Sequence, residues 1–115
     1  MYSNYFSMLE CGARYGCNGE SKEIIARYVC DGLNEARTCE TMRDTKRNHM
    51  RVVNTLMNAL CDDCVDVKWR KECYMFLRKL KPLMYEMLCE DEYDALVSEI
   101  QTYYVYFLAP HGIRR

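Results

Sequence analysis

Cys61 and Cys64 stand three positions apart in Cys61-Asp62-Asp63-Cys64, the spacing at which two thiolates reach one tetrahedral zinc ion. Cys73 follows about two helical turns later, and Cys89 can fold back toward the same point in a hairpin. Cys61, Cys64, Cys73 and Cys89 therefore form the candidate metal site, with structural zinc as the one cofactor to consider. The second pair lacks the compact spacing of the first. Cys73 and Cys89 also fall on apolar stripes, where a free cysteine packs as a small hydrophobe. Buried free thiols are the competing expectation.

The same pair could cycle between dithiol and disulfide if a helix N-terminus lowered a thiol pKa. Two intervening aspartates push the other way, and no βαβ pattern surrounds them, so a thioredoxin-like site is excluded. Flavin-linked sulfhydryl oxidases are helical and carry Cys-x-x-Cys, but here His49 and Asn54 precede the pair instead of following it. Cys30-x8-Cys39 and Cys64-x8-Cys73 resemble the twin cysteine pairs of helical-hairpin proteins of the mitochondrial intermembrane space. That family favours x9, and a whole helix, about 43–60, separates the two pairs here. The resemblance implies a disulfide-locked subunit of an organellar assembly.

Other chemistry finds few residues. His49 and His111 are the only histidines. His49 sits at an apolar helix edge, as a packing residue would. Glu90, Asp91, Glu92 and Asp94 lack the loop spacing and glycine of a calcium site and suit the start of a helix. No phosphate-binding glycine loop is present. The expectation is a protein that is not an enzyme.

Charge is unevenly spread although the net value is −1. Residues 43–81 hold ten Lys and Arg against five acids, whereas residues 82–101 hold six acids and no base. Solvated faces of opposite sign account for this, and a docking face for phosphate or an acidic partner is the alternative. Arg43, Lys46, Arg47 and Arg51 span about two turns, Lys68, Arg70, Lys71, Arg78, Lys79 and Lys81 could extend them, and Asn48 and Asn54 could read bases.

These residues need helices to position them. Met42, His49, Met50, Val53, Leu56, Met57, Leu60, Cys61 and Cys64 recur with helical period, as do Trp69, Cys73, Phe76, Leu77, Leu80, Met84, Met87 and Leu88. Pro82 either kinks the second run or opens a new helix. Tyr2, Tyr5, Phe6, Leu9 and Ala13 mark a helix over 2–15. Ile24, Ile25, Tyr28 and Val29 mark a second, with Gly32 set against its straight continuation. Residues 34–41 read as a helix end or loop. Tyr93 to Leu108 form the last helix, stopped by Pro110 and Gly112. The fold expected is all-α: one domain, 1–115, a compact bundle of four to six helices with a long central hairpin at about 43–61 and 66–89.

No apolar run approaches the ~20 residues of a transmembrane helix. Met1 to Cys17 lacks the layout of a signal peptide. A cytoplasmic or nuclear protein with reduced thiols is expected. Eight methionines and ten tyrosines give a soft core and adaptable surfaces. The function expected is non-catalytic protein interaction, as an adaptor, regulator or small assembly subunit that self-associates. Tyr104 and Phe107 on the last helix, or the N-terminal Tyr/Phe face, would form a homodimer, with Arg43, Arg47 and Arg51 as a second docking set. The alternative is a zinc-stabilised nucleic-acid-binding regulator using the basic 43–81 segment. Compact Cys- and Met-rich helical proteins also occur among viral host-modulating proteins.

Overall fold

The computed structural model describes residues 4–16 and 21–108. They form α1 (Asn4–Tyr15), α2 (Glu23–Arg37), α3 (Met42–Leu60), α4 (Val67–Lys79), α5 (Lys81–Met87) and α6 (Glu90–Tyr103), and end in a π-helical turn, Tyr104–Leu108. No strand occurs among the described residues. The all-α bundle with a central hairpin, α3 against α4, is the architecture that the periodicity indicates.

Each break has a local cause. Gly16 ends α1 with a φ of 55°, and its N–H returns to Gly12 O at 2.9 Å. The N–H of Glu23 at the start of α2 donates to Ser21 Oγ. Thr41 caps α3 by accepting from Asp44 N at 3.1 Å. Asp66 caps α4 by accepting from Lys68 N. Pro82 stands in the first turn of a separate α5, so the second half of the hairpin is two helices and not one kinked one. Cys89 is the N-cap of α6, and its N–H donates to Glu92 Oε1 at 3.2 Å.

Helix α3 is the hub, packed against α1, α2 and α4. Its buried arc is therefore wider than one stripe. Val52 and Ala59 join His49, Val53, Leu56, Met57 and Leu60 in the interior, while Met42 is 82 % exposed. Phe6, Ile25, Tyr28, Leu77 and Met84 meet them from the neighbouring helices. Gly32 does not interrupt α2. It lets α2 approach α3, because a Cβ there would run into Val52 Cγ2. On α1, Phe6, Leu9 and Ala13 are buried but Tyr5 turns outward; Tyr2 lies outside the described residues.

Candidate interaction site

The exposed part of α1 is positioned by a polar cluster beneath it. Arg51 Nε and Nη2 donate to Glu10 Oε2 and Oε1, each at 2.7 Å. The Tyr28 hydroxyl donates to Glu10 Oε2 at 2.7 Å and lies 3.0 Å from Thr55 Oγ1. Tyr28 also stacks on Phe6, ring centroids 5.2 Å apart, and the Arg51 guanidinium lies over the Phe6 ring, 5.2 Å from its centre. Removal from water raises the Glu10 carboxyl pKa, but the bonds from Arg51 and Tyr28 outweigh this and hold it below its usual value. Burial pushes the Tyr28 hydroxyl far up, so it stays a donor. Arg51, one of the three arginines expected to dock a partner, thus serves α1.

With α1 held so, Tyr5, Met8 and Leu9 form one wall of a groove of about 390 Å³. Ser21, Glu23, Ile24 and Arg27 at the start of α2 form the other. Tyr5 is 49 % and Met8 61 % exposed. Glu23 and Arg27 make no ion pair among the described residues. The sequence expectation of an N-terminal Tyr/Phe face falls here, but its aromatic is Tyr5, since Phe6 faces the core.

The basic segment divides in two. On α3, Lys46 pairs with Glu92 at 3.3 Å and Arg47 with Asp44 at 3.5 Å, while Arg43 is exposed. On α4 the exposed residues are Val67, Lys68, Lys71, Met75, Arg78 and Lys79, with no acid among them. Lys68, Lys71 and Arg78 make no ion pair among the described residues. Lys79 Nζ lies 4.8 Å from the Phe76 ring centre. Arg70 is turned inward, its Nε donating to Val65 O at 3.0 Å.

Tyr104 and Phe107 are half-buried, and Leu108 is buried. Tyr104 stacks on Tyr74 of α4, centroids 4.3 Å apart at 22°. Phe107 packs against the core cluster and edges onto Tyr103 and Tyr106. The residues of that run most open to solvent are Tyr106 at 68 % and Val105 at 43 %. A π turn of 4.4 residues redirects the side chains after Tyr103, and a sequence read at 3.6 residues per turn does not show it.

The candidate metal set is spread over four environments. Cys61 is half-buried at the end of α3, Cys64 is exposed in the turn, Cys73 is fully buried on α4, and Cys89 is exposed at the start of α6. Among the described residues no three His, Cys, Asp or Glu side chains are grouped to hold a metal ion. All seven described cysteines are free thiols, including Cys30, Cys39, Cys64 and Cys73 of the twin-pair pattern; Cys17 lies outside the described residues. Burial first, then Glu99, raises the Cys61 thiol, and burial lifts Cys73 to about 12. The aspartates between the first pair have a structural use. Asp62 accepts from Cys64 N at 2.9 Å and pairs with Arg14 at 2.8 Å, fastening the turn to α1.

His49 is buried against Met87, with Nδ1 2.6 Å from Sδ, and desolvation lowers its pKa. His111 lies outside the described residues. No helix among the described residues is long and apolar enough to cross a membrane. In comparisons with known proteins, no family model, no curated protein and no solved structure matches this chain.

Proposed function

We propose that the protein is a non-catalytic helical interaction protein that self-associates through the α1–α2 groove. The observation that carries this reading is that one patch holds both halves of a contact. Met8 and Tyr5 project beside the hollow that they line, and Glu23 and Arg27, oppositely charged and one turn apart on α2, stand at its edge. A two-fold dimer needs such a self-complementary surface, in which each copy offers and accepts the same group. Exposed Tyr and Met suit the centre of an interface, and the two charges suit its rim. Across the two-fold, Glu23 of each copy meets Arg27 of the other. An adaptor, regulator or assembly subunit would use this surface.

Sedimentation at micromolar concentration tests it. The parent chain is expected to be dimeric and Met8→Glu monomeric at unchanged helicity. Arg27→Glu places like charges across the axis and weakens the dimer. Combining it with Glu23→Arg restores opposite charges and the dimer. A monomeric parent chain, or a dimer indifferent to all three variants, would overturn the reading.

A further inference from the structure

We propose that the outer face of α4, with the Tyr74–Tyr104 stack beside it, is a binding site for single-stranded nucleic acid. This surface is separate from the α1–α2 groove.

At 100° per residue, Lys68, Lys71, Arg78 and Lys79 fall within an arc of about 100° along about 16 Å of helix. All four are exposed, and the acid nearest to them on α4, Glu72, is half-buried and lies about 20° beyond Lys79 at the edge of the arc. In a chain of net charge −1 this is a local cationic strip. The opposite side of α4, with Trp69, Cys73 and Leu77, is buried in the core. The exposed side carries only Val67 and Met75 as apolar residues, too little for the apolar face that an amphipathic lipid-binding helix inserts into a membrane.

The aromatic pair gives the polyanion its class. Tyr74 follows Lys71 by three residues and precedes Arg78 by four, so both cations are its neighbours on the helix surface. Tyr104 of the π turn stacks on Tyr74, and both rings are only half-buried. A partly open π surface thus lies between two cations about 10 Å apart along the axis. Stacked bases with their phosphates on flanking cations are how proteins hold a single strand without reading its sequence. A duplex would hide the base faces. A helix reading its major groove would also present Asn or Gln, and α4 exposes neither.

Fluorescence anisotropy with a labelled fifteen-nucleotide oligo(dT) tests the proposal. Binding is expected in 50 mM salt, with a log–log salt slope of roughly −2 to −3 for three to four phosphates. Lys71→Glu with Arg78→Glu removes two contacts, cuts affinity at least tenfold and flattens the slope by about 1.4. Should that variant not fold, Lys71→Gln with Arg78→Gln carries the same expected change. Tyr104→Leu lowers affinity about tenfold and leaves the slope alone, while Tyr104→Phe restores binding. Met8→Glu binds as the parent does, which keeps this test apart from that of the dimer.

Several results would overturn the proposal. One is no binding to the oligomer at 50 mM salt, and another is a preference for the matching duplex. A third is equal loss on Arg27→Glu, which lies off the strip. Binding to phosphatidylserine vesicles but not to DNA would transfer the strip to lipid. Salt-sensitive self-association abolished by Glu90→Lys with Asp91→Lys, without DNA binding, would assign it to a second copy.

Discussion

Arg51 on α3 and Glu10 on α1 meet in a two-point ion pair, both bonds at 2.7 Å, with each side chain less than a third exposed. The Tyr28 hydroxyl on α2 donates to the same carboxylate, so three helices share one charge. Such a pair is costly to break singly, because the remaining charge keeps its poor solvation and loses its partner.

Arg51→Met is therefore expected to lower stability by about 2 kcal/mol, below the full cost of breaking a fully buried pair because these groups still touch water. Glu10→Gln should cost less. The double variant should cost less than the sum, since the second change removes a charge already orphaned. Urea unfolding of the four proteins measures this, and strict additivity would show that the pair is not coupled.

Acid should destabilise the protein in two stages. His49 has its native pKa pushed by burial below the ordinary 6.5. Between those two values the unfolded chain binds more protons, so stability falls as pH drops from 6.5. Glu10 is held below 4.5 in the folded state, and its contribution is complete above that value and lost as pH falls through the native one. The urea midpoint should decline first below 6.5 and again below 4.5. His49→Gln should remove the first decline and Glu10→Gln weaken the second.

Gly16 carries a φ of 55°, and a Cβ on it would stand 2.7 Å from the Trp69 ring. That ring cannot swing away freely, because its Nε1 donates to Ala13 O at 2.8 Å. Gly16→Ala combines backbone strain with a steric clash and should destabilise by about 2 kcal/mol. A changed tryptophan emission in the folded protein would report displacement of the indole. Unchanged emission and stability would mean that the turn adopts another path.

Thiol labelling should separate the cysteines by position. Cys11, Cys30, Cys64 and Cys89 are exposed and should react with iodoacetamide at neutral pH in the native protein. Cys73 is wholly buried, with its thiol raised to about 12, and should react only on unfolding. Cys61 should be slower than Cys64, since burial and Glu99 both oppose its thiolate. Peptide mass spectrometry after timed quenching gives the order.

The helices were legible because each apolar run keeps its phase and each break carries a turn or capping residue, as at Thr41, Asp66 and Pro82. Their contacts were less so. A single-stripe reading of α3 missed Val52 and Ala59, because a helix packed by three neighbours buries more than one stripe. Gly32 read as a weak point by propensity and is a point of close approach in the packed structure. Among site residues, Arg51 looked like its neighbours Arg43 and Arg47, and only a partner 41 positions away, Glu10, distinguishes it. The groove needed Tyr5 and Met8 set opposite Ile24 and Arg27, a juxtaposition across helices that no local pattern states. The unopposed cations of α4 were visible as a charge run. Their isolation became visible only when Lys46 and Arg47 of the same run were found paired.

Helix α6 has its main packing with its own chain neighbours, α5 before it and the π turn after it, and the turn in turn rests on α4. Only Leu96 and Ile100 of its fourteen residues are buried. In energetic terms the chain divides into a tightly cross-braced block, α1 to α4, and a lightly held arm. Amide protons of α6 should therefore exchange with solvent through partial opening, well before those of α3, which need global unfolding. Such an opening would unstack Tyr104 from Tyr74, linking the arm's docking equilibrium to the outer face of α4.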